Sequence, residues 1–122
     1  MSRSLSVCLA VGDEALSETY AQMLSAAGHN PWRAYNAASA LLRMGNVAFD
    51  ALVLDGSCHR VDGASFLPFV RRVYPRTLVI AITHARGDLW TAEECTHADA
   101  QVADPASAED FATVLERAAA RR

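Results

Sequence analysis

The amino-acid sequence predicts a three-layer α/β/α sandwich built on a five-stranded parallel sheet. Short apolar segments of strand length alternate with segments in which apolar residues recur at helical spacing. The strand segments are apolar along most of their length, which is typical of parallel strands covered by helices on both faces. The 122 residues, 52% of them hydrophobic, suffice for one globular domain. We therefore expect a single domain over 1–122, with its core at about 5–117.

Five segments have the length and the composition of strands. The first, third and fourth are strongly apolar, whereas the second and fifth are weaker. Parallel neighbours need a crossover connection, which is usually a helix and is right-handed. The strands therefore belong to five βα units, and they are predicted over 5–11, 31–35, 51–54, 78–82 and 100–103.

Five helical segments follow these strands. The first carries an apolar stripe that includes Tyr20 and Leu24, and Gly28 suits its end. The third carries a similar stripe, and Pro75 prevents its continuation. The fifth has its stripe around Phe111, while the second and fourth are weaker. The helices are predicted over 14–27, 37–45, 64–74, 88–96 and 107–120.

The composition excludes several kinds of chemistry. The chain contains no lysine, and all 11 basic residues are arginine, which excludes Schiff-base catalysis, pyridoxal phosphate anchoring and a lysine-dependent nucleotide loop. The net charge of −3 gives no reason to expect nucleic acid as a partner. No apolar stretch approaches the roughly 20 residues of a membrane span, and the run at 5–11 is short for a targeting signal. We therefore expect contact with neither nucleic acid nor membrane. The three cysteines are widely spaced and form no Cys-x-x-Cys pair, which favours a reducing, cytoplasmic setting.

Polar side chains stand where four of the predicted strands end. Asp13 follows the first strand, Asp55 follows the third, Thr83 follows the fourth and Asp104 follows the fifth. The carboxyl ends of parallel strands meet at one edge of the sheet, where ligands of such folds bind. An isolated carboxylate at a strand end is commonly a helix cap instead. Four polar residues together favour a functional site at this edge.

At these residues the chain resembles the receiver domain of two-component response regulators, which has a flavodoxin-like (βα)5 fold. The resemblance runs from Leu5 to about Arg117. Its most specific stretch is Phe49 to Asp55, with Gly63 eight residues later, which resembles the phosphoacceptor strand and its loop. Thr83 falls on the hydroxyl position of the family. Two further matches are Val11-Gly12-Asp13-Glu14, similar to the acidic cluster after the first strand, and His97-Ala98-Asp99-Ala100, similar to the turn before the fifth.

The resemblance implies a role for each matching residue. Asp55 would accept a phosphoryl group from a histidine kinase, and Thr83 would hydrogen-bond that group. Asp13, Asp55 and the backbone carbonyl of Ser57 would hold Mg²⁺, a cation that takes oxygen ligands. The fourth helix, fifth strand and fifth helix would form the face that contacts an output domain or protein, or a second copy in a homodimer.

The chain departs from the family at four positions. Gly12 replaces the first acidic residue, His59 replaces a proline, and Gln101 replaces the aromatic switch residue. Asp104 replaces the lysine that pairs with the phosphoacceptor, which changes the local charge by two units. At about 5 Å and an effective dielectric constant of about 20, each unit is worth roughly 3 kcal/mol. We therefore expect Asp55 to accept phosphate poorly or not at all, and Mg²⁺ to bind weakly or not at all.

The sequence predicts an atypical receiver domain that acts through protein–protein interaction. Two alternatives stay open: an ordinary Mg²⁺-dependent phosphoacceptor receiver, and a dimerisation scaffold with a receiver fold. The chain lacks the Asp-x-Asp of haloacid-dehalogenase-type hydrolases, the phosphate loop of flavodoxins, the Gly-x-Ser-x-Gly elbow of serine hydrolases and the Asp-x-His-x-x-Gly motif of cobalamin-binding domains, so we expect no enzyme. Cys8, Cys58 and Cys95 are expected to be packing thiols, although Cys58 and His59 are expected in an exposed loop. Trp90, on the fourth helix, is either an exposed interface residue or a buried one.

Overall fold

A computed structural model describes residues 4–84 and 90–121 of the protein. Within these residues, five of the strands form one parallel sheet and two form a separate antiparallel hairpin. The strands are β1 (Ser6–Ala10), β2 (Asn30–Ala34), β3 (Ala51–Asp55), β4 (Arg60–Val61), β5 (Ala64–Ser65), β6 (Leu78–His84) and β7 (Ala100–Asp104). The helices are α1 (Glu14–Ala26), α2 (Ala37–Asn46), α3 (Leu67–Val73), α4 (Ala92–Cys95) and α5 (Ala108–Ala120).

The parallel sheet has the strand order β2-β1-β3-β6-β7 and lies between two apolar layers. Residues of α1 and α5 pack on one face of the sheet, and residues of α2 and α3 together with Trp90 pack on the other. All five residues of β3, the central strand, are buried. The predicted three-layer α/β/α sandwich with a five-stranded parallel sheet is therefore confirmed.

The register of the strands brings the predicted site residues to one edge. Asp55 is the register partner of Ile82, and His84 is the partner of Asp104. Thr83 lies between Ile82 and His84 on β6, and its register partner is Ala103 on β7. The carboxyl ends of β3, β6 and β7 therefore meet at this edge, as the alternation of strands and helices predicts.

The predicted third helix begins later than expected. The sequence predicts it over 64–74, but α3 is Leu67–Val73 because Ala64 and Ser65 pair with Val61 and Arg60 in the hairpin β4–β5. The turn of this hairpin contains Asp62 and Gly63, with φ angles of 53° and 84°. Asp-Gly favours the type I′ turn, which needs positive φ at both positions. Hence the local turn preference overrides the helical pattern.

The predicted fourth helix is shorter in the structure. The sequence predicts it over 88–96, and residues 88–89 lie outside the described residues. The helix α4 begins after Thr91, whose side chain accepts from the Glu94 amide while the Glu94 carboxylate accepts from the Thr91 amide. This reciprocal capping box fixes the start of the helix.

No helix in the described part of the chain is long and apolar enough to cross a membrane.

Candidate functional site

Asp55 ends the central strand β3, and its carboxylate is only slightly exposed. The residue as a whole is 6% exposed. Its Oδ1 accepts hydrogen bonds from the backbone amide of Ser57 at 3.1 Å and from the Ser57 hydroxyl at 2.7 Å. Among the described residues, no arginine forms an ion pair with it. The candidate phosphoacceptor is therefore held by its own loop.

Gly12 lies against the same serine. A Cβ atom at position 12 would stand 2.7 Å from the Ser57 Oγ, which is closer than real Cβ contacts come. A side chain at position 12 and the bond from the Ser57 hydroxyl to Asp55 therefore compete for one space. The position of the Ser57 side chain, which donates to Asp55, therefore requires a residue without a Cβ atom at position 12.

Asp13, the other predicted metal carboxylate, caps α1. Its Oδ1 accepts from the Leu16 amide at 2.9 Å, and the residue is exposed. Over 4–84 and 90–121, no three or more histidine, cysteine or acidic side chains come together as a metal site. The oxygen donors at this edge that match the family are the Asp13 and Asp55 carboxylates and the Ser57 carbonyl. Mg²⁺ is usually held by one or two carboxylates together with several waters, and here one oxygen of each carboxylate already accepts a hydrogen bond, from the Leu16 amide and from Ser57.

Asp104, at the position of the family's lysine, is bound by neighbours on α1 and β6. The Tyr20 hydroxyl donates to its Oδ1 at 2.9 Å, and its Oδ2 lies 3.5 Å from Nδ1 of His84. Tyr20 is buried, and burial together with this hydrogen bond to Asp104 raises its pKa well above the ordinary range. The peptide bond from Asp104 to Pro105 is cis. Sequence reasoning identified Asp104 but not its partner Tyr20.

Thr83 contacts β7 rather than the loop of Asp55. Its hydroxyl donates to the Val102 carbonyl at the long distance of 3.5 Å. Gln101, at the aromatic switch position, is exposed on β7. The two positions that carry the switch in the resembled family thus hold a weakly bonded hydroxyl and an exposed amide.

His59 is fully buried, so the expectation that Cys58 and His59 lie in an exposed loop is wrong. The His59 ring stacks on Trp90, with centroids 3.8 Å apart and planes 8° apart. Its Nδ1 lies 2.9 Å from the Ser65 hydroxyl. The Trp90 indole donates to the carbonyl of Ile82, the register partner of Asp55, at 2.9 Å. Trp90 is therefore a core residue, which decides between its two predicted roles.

An ion pair ties the same loop to α4. The Arg60 guanidinium donates to both carboxylate oxygens of Glu94, at 3.0 and 2.6 Å. These bonds lower the pKa of Glu94 to about 2. The same carboxylate comes within 3.9 Å of Nε2 of His59. We call His59, Arg60, Trp90 and Glu94 the α4 clamp, because they join the loop after Asp55 to α4.

The cysteines near this site are packing residues. Burial raises the pKa of Cys58 to about 11 and that of Cys8 to about 12. The thiolate is the reactive form, so both thiols are protonated at neutral pH and are poor nucleophiles.

Sequence reasoning found the strand-end residues and missed the α4 clamp. Two local signals were present: Thr91 with Glu94 three residues later is a capping-box pattern, and Asp62-Gly63 is a hairpin turn signal. The contact between His59 and Trp90 joins residues 31 positions apart in sequence, and it depends on how the loop packs.

Comparison with known proteins shows the fold. No protein-family model and no curated protein sequence matches the chain. The structure of NtrX from Brucella abortus in complex with ADP has 24% identity and a TM-score of 0.84, and the match covers 98% of this chain and 27% of that one. A receiver domain protein from Clostridium thermocellum has 18% identity and a TM-score of 0.81, over 95% of this chain and 94% of that one.

A signal receiver domain of an HD domain-containing protein from Pseudomonas fluorescens has 18% identity and a TM-score of 0.84, over 99% of this chain and 90% of that one. The protein thus has the fold of response-regulator receiver domains. It spans about a quarter of the length of the NtrX chain, and most of the length of the two isolated receiver domains.

Proposed function

We propose that the protein is an atypical receiver domain of two-component signalling that works through protein–protein contacts. In this proposal Asp55 accepts a phosphoryl group poorly or not at all. The observation that carries it is the pair of carboxylates at one sheet edge: Asp55 ends β3, and Asp104 stands where the family has its lysine. The whole protein's output and partners, a histidine kinase among them, belong to the same proposal.

The electrostatic argument concerns the charge that a phosphoryl group brings. A phosphorylated Asp55 would carry about two negative charges, and such groups are stabilised by cations and hydrogen-bond donors. Among the described residues, the side-chain hydrogen-bond donors beside Asp55 are the uncharged Ser57 hydroxyl and Cys58 thiol. Asp104 adds a carboxylate in place of a cation, and the chain has no lysine that could replace it from elsewhere.

We expect Mg²⁺ to bind weakly or not at all. Asp13, Asp55 and the Ser57 carbonyl would hold the ion, and a bound ion would neutralise part of the charge at this edge. Gly12 contributes no carboxylate, and an Asp13 oxygen is already occupied by the Leu16 amide.

The α4 clamp supports the proposal that α4 is held in one arrangement within the face of α4, β7 and α5. Trp90 bonds to Ile82 and stacks on His59, and Glu94 binds Arg60. Moving α4 together with Trp90, which precedes it, would break a buried hydrogen bond, a ring stack and an ion pair together. A face held in this way is suited to bind a partner without a phosphorylation switch, and a partner could shift it by preferring another arrangement.

The test is a titration of the full chain with beryllofluoride and Mg²⁺, followed by amide NMR. Beryllofluoride mimics a phosphoryl group on aspartate. We expect weak binding and small shifts in β6 and β7. Tight, stoichiometric binding with shifts along β6 and β7 would contradict the proposal and favour an ordinary phosphoacceptor receiver. Sedimentation at rising protein concentration tests the dimerisation scaffold separately.

A further inference from the structure

A groove of about 600 Å³ lies at the edge of the sheet opposite Asp55. It is formed where α2 and α3 end and where β3 and β6 begin. The five residues of β3 separate it from Asp55 by roughly 16 Å. The groove therefore lies apart from the site described above. Its lining residues include Met44, Val47, Phe49, Tyr74, Pro75 and Arg76.

Exposed aromatic side chains continue the groove on both sides. Tyr74 contacts Phe69 edge to face at 6.4 Å, and Phe69 is 40% exposed. Phe49 contacts Trp32 in the same way at 6.1 Å, and Trp32 is 38% exposed. The four rings thus reach from the exposed side of α3 through the groove to the edge strand β2. Phe49 itself is only 7% exposed, so the exposed aromatic surface consists of Phe69 on one side of the groove and Trp32 on the other. Exposed apolar surface of this kind marks binding sites for other molecules.

Arginine side chains border this surface. Arg76 lines the groove, and the Arg72 guanidinium stands 5.9 Å from the centre of the Phe69 ring. Both are exposed, and neither forms an ion pair with the residues that the structure describes. The chain as a whole has a net charge of −3, so this face reverses the overall sign.

The carboxylates beside this surface are already engaged. Asp50 accepts from the Ser6 amide at 2.8 Å, and Asp99 accepts from Arg71 at 2.8 Å. Arg72 and Arg76 form no ion pair with the described residues, so their charges are available to a partner. An apolar groove with cations at its rim is complementary to an acidic segment that carries apolar anchors.

We propose that this groove binds an acidic segment of a partner protein. Apolar or aromatic side chains of the segment lie between Phe49 and Tyr74, and its carboxylates pair with Arg72 and Arg76. The surface lies at the other end of β3 from Asp55, so the interaction is independent of the phosphoacceptor site and goes beyond the function proposed above. A second copy of the chain and an uncharged ligand are the competing occupants.

The test begins with a display library of random 12-residue peptides selected on the immobilised full chain. We expect the selected peptides to be enriched both in aspartate and glutamate and in aromatic or leucine residues. A titration with the most enriched peptide, followed by amide NMR, is expected to shift Gly45, Val47 and Thr77. The Arg76→Glu variant should bind that peptide about tenfold more weakly.

The matched control is Arg117→Glu on α5, which changes the net charge by the same amount and should leave binding within about twofold. The proposal is overturned by selection without acidic enrichment, by no selection at all, by shifts away from the groove, or by equal losses in the two variants. Groove amides that shift with protein concentration in the absence of peptide would identify a second copy as the occupant and overturn it too.

Discussion

The Tyr20 hydroxyl donates a 2.9 Å hydrogen bond to the carboxylate of Asp104, across 84 positions of the chain. The second carboxylate oxygen lies near Nδ1 of His84. Position 104 is therefore part of the contact between α1 and the carboxyl end of the sheet. Asp104 therefore replaces the family's lysine and also makes packing contacts of its own, with Tyr20 and His84.

Replacing the donor of this bond tests that contact. Tyr20→Phe is expected to lower the free energy of unfolding by about 1 kcal/mol, because the carboxylate loses a hydrogen bond while the buried ring is kept. Urea denaturation followed by circular dichroism measures the change. Tyr35→Phe is the control, since Tyr35 is 47% exposed. Equal effects of the two substitutions would show that the bond to Asp104 contributes nothing.

The competition between Gly12 and Ser57 predicts non-additive substitutions. Gly12→Ala should destabilise the protein, because the new methyl displaces the Ser57 hydroxyl from Asp55. When Ser57 is already alanine, the cost of Gly12→Ala should fall by about 1 kcal/mol. A double-mutant cycle of urea unfolding measures this coupling, and additive costs would contradict it.

The clamp predicts a dependence of stability on pH. The pKa of Glu94 is lowered from about 4.5 to about 2 by Arg60, so its contribution to stability is complete above about pH 4.5 and is lost as the pH falls towards 2. The difference in unfolding free energy between the natural protein and Glu94→Gln should therefore be constant from pH 7 to 5 and shrink at lower pH. Glu93→Gln, a substitution at the exposed neighbouring residue, is the matched control. A pH-independent difference for Glu94→Gln would contradict the ion pair.

The indole of Trp90 predicts a difference between the two tryptophans. Trp90→Phe should cost about 2 kcal/mol, because it loses the bond to the Ile82 carbonyl and part of the stacked surface. Trp32→Phe, at a half-exposed position, should cost less than about 0.5 kcal/mol. Guanidinium unfolding of both variants measures the costs, and a larger cost at Trp32 would place the clamp in doubt.

The sequence predicted the layers and the strand ends because both follow from local periodicity. The apolar runs around Leu52 and Ile80 have the length of buried strands, and Asp55 and Thr83 stand where those runs stop. In the structure, β3 and β6 begin and end within two residues of the predicted bounds, 51–54 and 78–82. Local pattern is sufficient where an element is long and packs on both sides.

The sequence did not predict which side chains these residues contact in the folded protein. The bond from Tyr20 to Asp104 and the stack of His59 on Trp90 depend on how distant segments meet, and neither has a fixed spacing along the chain. His59 looks like a loop residue by its neighbours, yet its ring stacks on Trp90, contacts the Ser65 hydroxyl and is fully buried. The sequence predicted the negative charge at position 104, but it did not predict that Tyr20 and His84 contact this carboxylate.

The most direct measurement is the phosphorylated fraction of the intact chain after incubation with acetyl phosphate and Mg²⁺, determined by mass spectrometry. The account predicts that roughly one chain in ten or fewer is modified, and that Asp104→Lys raises this fraction several-fold while Asp55→Asn abolishes it. Stoichiometric modification of the natural chain that is lost in Asp55→Asn and unchanged in Asp104→Lys would contradict the account.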